Sequence, residues 1–179
     1  YGCAKVFSYN ICNNYKNSYD MHISNGILFN HESPRRGMNF VTNKVVNGAV
    51  DIKQGRAKTL TLGNLSASRD WGHAKDYVKA MWLMLQQDEP DNYVCATGVS
   101  HTIKQLVDYT FKELGVATNL VRTSRQFERP EELEHLKGDS TKLRTKLGWE
   151  PTYTFETMLD EMIWVAANKR NKGVDTRKI

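Results

Sequence analysis

The chain has 179 residues, 40% hydrophobic and 25% charged, the balance of one ordinary globular domain, which excludes disorder, collagen and a coiled coil. Lys and Arg outnumber Asp and Glu by 25 to 20, for a net charge of +5, leaving both nucleic acid and an acidic small ligand open as partners. No run approaches the roughly 20 consecutive apolar residues of a membrane span, so no membrane partner is expected.

Residues 1–19 place Ala4, Phe7, Ile11 and Tyr15 at helical spacing, which predicts an amphipathic helix. Residues 21–29 hold Met21, Ile23, Ile27, Leu28 and Phe29 and read as a short buried strand. Residues 30–37 are polar, contain Pro34 and Gly37, and read as a loop with adjacent Arg35 and Arg36. A helix is expected over 40–53 on Phe40, Val41, Val45, Ala49 and Ile52, with Gly55 as its stop. A strand at 59–62 and a polar turn at 63–68 lead to Arg-Asp-Trp-Gly-His at 69–73. Next comes a helix from about Lys75 expected to bury Val78, Met81, Trp82 and Leu85. Residues 93–96 read as a buried strand, and Ser100 as the cap of a helix carrying Ile103, Leu106, Val107 and Leu114. Further on are a strand at 119–121, a helix at 140–147 capped by Asp139 and stopped by Gly148, and a helix opened by Thr154. Leu159, Met162, Ile163 and Ala166 form that last helix's stripe, and residues 168–179 form a basic tail.

Helices alternating with short apolar strands argue an α/β chain with a parallel sheet. None of the 12 glycines forms GxGxxG or GxxxxGK, so the phosphate-cradling first unit of a nucleotide fold is expected upstream. The chain opens on Tyr-Gly-Cys-Ala-Lys, which reads as a fragment without a secretory leader. Cys3, Cys12 and Cys95 show neither CxxC nor metal-ligand spacing, so no metal or disulfide framework is expected, and a reducing, cytoplasmic compartment is.

Tyr1 and Lys5 stand four residues apart at the head of the first helix, hence on one face and one turn apart. A tyrosine hydroxyl is a weak base at neutral pH, and a nearby ammonium favours the phenolate that can take a proton from an alcohol. The same spacing also occurs on ordinary surface helices.

The segment at 1–5 is similar to the YxxxK motif of the short-chain dehydrogenase/reductase superfamily. Asn-Gly-Ile-Leu-Phe-Asn-His-Glu-Ser-Pro-Arg-Arg-Gly at 25–37 resembles the signature of one extended branch, the GDP-mannose 4,6-dehydratase family. Two further segments resemble it closely, one running from Gly63 through Arg-Asp-Trp-Gly-His-Ala-Lys-Asp-Tyr to Val78, the other over 80–90. The resemblance covers nearly the whole chain, thinning across 117–127 and after Ala166. It spans the second half of the family's domain, with the glycine-rich loop and the Thr and Glu that assist the tyrosine expected before Tyr1.

The fold so implied is the C-terminal half of an NAD(P)-binding Rossmann-type domain over 1–167, interleaved with the smaller substrate-binding subdomain. The activity implied acts on GDP-mannose: oxidation at C4 by NADP, loss of water across C5 and C6, and return of the hydride to C6. Tyr1 is then the catalytic base and Lys5 its electrostatic partner, both also facing the cofactor with His31 and Arg36. Asn30, Arg69 and Arg129 match positions facing the sugar nucleotide's diphosphate. Lys44, with Val41 and Thr42, matches the guanosine side, and Glu132 resembles the acid that takes the ribose hydroxyls.

Alternatives stand beside each. Arg35 suits the task of Arg36, Arg69 has Asp70 or Asp76 as partners, Arg129 has Glu131, and Lys44 a solvated helix face. Trp71 and Trp82 read as core rather than ligand platforms. The segment at 117–127 is shorter than the family's usual connection, which is expected to reshape the substrate-side wall. The family implies a homo-oligomer, dimer or tetramer. Two rival readings are a silent half-domain that still binds a nucleotide sugar and, from Lys169, Arg170, Lys172, Arg177 and Lys178, a nucleic-acid-binding module without a recognised motif. The 179 residues alone are expected not to turn over GDP-mannose.

Overall fold

The computed structural model describes residues 1–127 and 133–171, with side chains as far as Asn168. In chain order its helices and strands are α1 (Gly2–Tyr19), β1 (Gly26–Leu28), β2 (Asn30–Glu32), α2 (Val41–Lys53), β3 (Leu60–Leu62), β4 (Ser68–Arg69), β5 (Trp71–His73) and α3 (Ala74–Met84). There follow β6 (Tyr93–Cys95), β7 (His101–Thr102), α4 (Ile103–Leu114), β8 (Val121–Thr123), α5 (Thr141–Leu147) and α6 (Phe155–Asn171). The expected parallel pairing is present: β1 runs parallel to β6, β2 to β5 and β3 to β8, while β4 and β7 are antiparallel.

The first helix ends at Asp20, whose φ of 50° is left-handed, a conformation that Asp tolerates as a single residue. None of the residues of α1 is buried. Its predicted apolar face therefore lies open, with Phe7, Ile11 and Tyr15 exposed. Polar ties hold its far end, where Asn13 Oδ1 accepts from Asn25 Nδ2 at 3.1 Å and from Asn92 Nδ2 at 3.2 Å.

The strand expected over 21–29 contracts to β1, and its Ile27 is exposed rather than buried. The segment 30–32, expected as loop, is β2. Its polar Asn-His-Glu sequence gives no local strand pattern, and it becomes a strand because Asn30 to Glu32 pair in register with Trp71 to His73. The strand expected at 119–121 forms at Val121–Thr123 instead, because Thr118–Leu120 closes a short 3-10 turn first.

The larger core packs α2, α4 and α6 together through Val45, Val46, Ala49, Val50, Leu106, Phe111, Leu159 and Met162. In α4 the cap is Thr102 rather than Ser100. Thr102 Oγ1 accepts from Gln105 N at 3.0 Å while Gln105 Oε1 accepts from Thr102 N at 2.7 Å, a reciprocal pair that satisfies two otherwise orphaned donors.

The smaller core packs α3 and α5 on β6 through Tyr77, Ala80, Met84, Tyr93, Cys95, Leu143 and Trp149. Here the sequence expectation fails. Val78, Met81, Trp82 and Leu85 are all exposed, so Trp82 is not core. Helix α3 carries two apolar stripes, and its rotation is decided by Asp76, 3% exposed. Asp76 accepts from Thr152 Oγ1 at 2.6 Å and from the backbone N–H groups of Thr152 and Tyr153 at 3.0 and 3.1 Å. A buried carboxylate is tolerated only when so paired, and satisfying it turns Tyr77 inward against Trp149.

The start of β6 is tied to α5 by Asp91, which meets Lys142 Nζ at 2.7 Å and Lys146 Nζ at 3.3 Å. The hydrogen bond from Lys142, assisted by those from Asn92 N–H and Lys146, holds its carboxyl down at about 2, from 3.8. A depressed folded-state value contributes stability that is present above the unfolded value and lost as pH falls through the folded one. Asp91→Asn should therefore lower the urea midpoint at pH 7, and its gap from the parent should close as pH falls from 3.8 toward about 2. A gap independent of pH would assign the effect to something other than charge.

Candidate functional site

The site begins with the first turn of α1. Lys5 N–H donates to Tyr1 O at 3.1 Å, which closes that turn and sets the two side chains over one another. Lys5 Nζ lies 5.3 Å from the Tyr1 ring centroid. Tyr1 is 96% exposed, and both residues line a cavity of about 1090 Å³.

The other walls come from β2, the end of β3, the loop at 33–40 and the start of α2. Tyr1, Lys5, Asn30, His31, Arg36, Val41, Lys44 and Arg69 all line this one cavity. Arg129 and Glu132 lie outside the described residues, as do the side chains of the basic cluster from Lys169 onward. Arg35 is exposed and is not among the lining residues.

The loop after β2 is fastened to α2 by polar side chains. Glu32, 2% exposed, accepts from Thr42 Oγ1 at 2.6 Å and lies 3.2 Å from Arg36 Nε. Burial raises its carboxyl above the ordinary value, while the Thr42 hydrogen bond, Arg36 and His31 act against that rise. Asn43 Nδ2 donates to Arg36 O, and Asn47 Nδ2 donates back to Asn43 O and Oδ1, each at 2.8 Å. The Arg36 guanidinium lies 3.5 Å above the Phe40 ring centroid. His31 Nδ1 sits 2.9 Å from Phe29 O; since a carbonyl only accepts, this nitrogen carries the proton.

On the opposite wall, Arg69 Nη1 donates to Ser68 O at 2.7 Å and to Leu133 O at 2.6 Å. The alternative partners considered for Arg69 are engaged elsewhere. Asp70, fully buried, accepts from Thr97 N, Thr97 Oγ1, Gly98 N and Gly138 N at 2.9, 2.7, 2.9 and 3.2 Å, and Asp76 holds residues 152–153. The chain from Leu133 onward is stitched beside β4, with Ser68 N–H donating to Glu134 O at 2.8 Å and Leu136 N–H donating to Ser68 O at 3.1 Å. Lys44 is not simply solvated: its Nζ lies 4.2 Å from the ring centroid of Phe127, another lining residue. Trp71 is buried, stacked on Phe155 with centroids 6.0 Å apart, and reaches the cavity wall as well.

Sequence reasoning passed over Glu32 and Phe127. Glu32 sat in a segment read as loop, where four-residue spacing to Arg36 carries no geometric meaning. Phe127 ends the short connection expected to reshape the wall, and nothing in its own neighbourhood marks it.

The arrangement is a wide cavity with cations on several sides, Lys5, Arg36, Lys44 and Arg69, and amides at Asn30, Asn39 and Asn64. Such a wall suits a phosphorylated ligand. Comparison with known proteins gives this a context. The family model described as GDP-mannose 4,6 dehydratase matches residues 1–162. A GDP-mannose 4,6-dehydratase of Vibrio cholerae is 43% identical over 191 aligned residues, covering 91% of this chain and 51% of the relative. GDP-mannose 4,6 dehydratase 1 of Arabidopsis thaliana is 47% identical, covering 91% and 45%. The chain thus spans about half the length of these curated relatives. Among solved structures, RMD from Pseudomonas aeruginosa complexed with NADPH superposes with a TM-score of 0.87 at 21% identity, over 94% of this chain and 56% of that one. DesIV, a dTDP-glucose 4,6-dehydratase from Streptomyces venezuelae with NAD and TYD bound, gives 0.82 at 21% identity, over 97% and 52%. At that identity the structures establish the Rossmann-like fold alone, while the family match and the sequence relatives establish that the chain belongs to the GDP-mannose 4,6-dehydratase family.

Proposed function

We propose that the protein to which this chain contributes converts GDP-mannose to GDP-4-keto-6-deoxymannose with NADP. The observation that carries the reading is that the Tyr1/Lys5 pair opens into the same cavity as Arg36, Lys44 and Arg69. That cavity, about 1090 Å³, slightly exceeds the roughly 300–1,000 Å³ of usual small-ligand pockets, which fits a cofactor and a sugar nucleotide side by side.

When bound, NADP supplies the hydride acceptor at C4 and the donor at C6. Tyr1 takes the C4 hydroxyl proton as a phenolate, and Lys5 stabilises that anion and holds the nicotinamide ribose. His31 and Arg36 face the cofactor. Asn30 and Arg69 bind the diphosphate, and Val41 and Lys44 border the guanosine. Arg129 and Glu132 complete the substrate side in the same proposal, on sequence resemblance alone. In this proposal residues 1–167 contribute the second half of the dinucleotide-binding domain, interleaved with the sugar-nucleotide-binding subdomain, and 168–179 are the basic tail. A homo-oligomer belongs to the proposal on the family resemblance, and so does a cytoplasmic setting, supported by the free thiols of Cys3, Cys12 and Cys95.

The test is incubation of the full-length protein with GDP-mannose and NADP, followed by NMR detection of the 4-keto sugar. A full-length, folded protein that binds both ligands and forms no keto product would overturn the reading. Within it, Arg69→Ala should weaken GDP binding by about 1.5 to 3 kcal/mol, the range for a hydrogen bond to a charged group, and change NADP affinity much less. Calorimetry showing equal losses for both ligands would give Arg69 a role in the fold instead, through its bonds to Ser68 O and Leu133 O.

A further inference from the structure

The Arg36 guanidinium is held on two sides and open on the third. Phe40 lies beneath its plane, 3.5 Å from ring centroid to Cζ, and Glu32 Oε2 stands 3.2 Å from Nε. The Nε contact has ion-pair distance without the alignment of a hydrogen bond. No described residue accepts from Nη1 or Nη2, and the residue lines the cavity. Among the described residues both terminal amino groups are therefore uncommitted, in a cleft that otherwise gathers cations.

The carboxylate behind it is an unusual component. Glu32 ends β2 with its side chain 2% exposed, and burying a carboxylate is costly unless it is paired. Its two contacts, Thr42 Oγ1 at 2.6 Å and Arg36 Nε, converge on the same oxygen, Oε2. Thr42 is in the first turn of α2, so the rigid helix fixes the carboxylate and the carboxylate fixes the arginine. Fixing a guanidinium before a ligand arrives removes an ordering cost from binding.

We infer that Glu32 is a positioning residue, braced by Thr42, that holds the Arg36 guanidinium with its two amino groups toward the cavity and thereby sets affinity for the phosphate-bearing nicotinamide cofactor. The inference rests on the cofactor-facing role proposed for Arg36.

The experiment is a double-mutant cycle in the full-length protein, with NADPH binding followed by fluorescence and GDP binding by calorimetry. Glu32→Gln keeps the side chain's shape and removes its charge. It should raise the NADPH Kd about tenfold and leave the GDP Kd within about twofold, a split that general loss of structure does not produce. The double variant Glu32→Gln with Arg36→Met should bind NADPH no more weakly than Arg36→Met alone, because one residue acts through the other. If Arg36→Met weakens NADPH binding while Glu32→Gln leaves it unchanged, or if the two losses multiply, the Glu32 inference fails and the cofactor reading stands. If Arg36→Met itself leaves NADPH binding intact, the cofactor role of Arg36 fails and the inference falls with it. Should Glu32→Gln not fold, Thr42→Val removes the brace from the other side. It should weaken NADPH binding about threefold, and an unaltered NADPH Kd would overturn the inference.

Discussion

Tyr1→Phe in the full-length protein should lower single-turnover hydride transfer by about 100- to 10,000-fold, the span expected when a positioned base is removed, with GDP-mannose binding preserved. The substitution keeps the ring and removes only the hydroxyl. Lys5 sits one turn away with Nζ 5.3 Å from the ring centroid. Lys5→Met should weaken NADP binding, because the ammonium proposed to hold the nicotinamide ribose is lost. Near-normal hydride transfer in Tyr1→Phe would reduce this pair to two residues that happen to share a helical turn.

The second large effect is on stability. Asp70→Ala should cost about 3 kcal/mol or more, since it strips a fully buried carboxylate from three backbone N–H groups and a hydroxyl and leaves those donors without acceptors. Asp70→Asn should recover part of the loss, because an amide oxygen still accepts while its NH₂ faces donors. Asp70 separates β4, which carries Arg69, from β5, and it binds both the chain after β6 and the segment leading to α5. GDP affinity should therefore fall along with stability. A urea midpoint in Asp70→Ala within experimental error of the parent would show that the four contacts do not hold this junction.

Helices α1, α2, α4 and α6 were legible because their information is local: apolar spacing of three and four, Thr154 ahead of α6 and Gly115 at the end of α4. The same local rule made Tyr1 and Lys5 legible as a pair, since four residues in a helix is one turn whatever surrounds it. Longer matches around residues 25–37 and 63–90 carried the family, and the comparisons agree with it.

What tertiary structure alone decided is which face, which partner and which side chains meet. The stripe of Val78, Met81, Trp82 and Leu85 satisfies helical periodicity as well as Tyr77, Ala80 and Met84 do, and only the need of buried Asp76 for the donors of Thr152 and Tyr153 chooses between them. The Asn-His-Glu of β2 becomes a strand through pairing with residues 71–73, a partner remote in sequence. That pairing also buries Glu32 beside Arg36 and Thr42, so a residue that local pattern assigns to a loop becomes a wall of the site. Sequence by itself singled out Tyr1, Lys5, Asn30, His31, Arg36, Val41, Lys44 and Arg69, which line one cavity, because residue identity and motif matches are local quantities. Its assembly, with Lys5, Arg36, Lys44 and Arg69 around one cavity, follows from long-range strand pairing and from the desolvation cost of buried carboxylates, which no local pattern encodes.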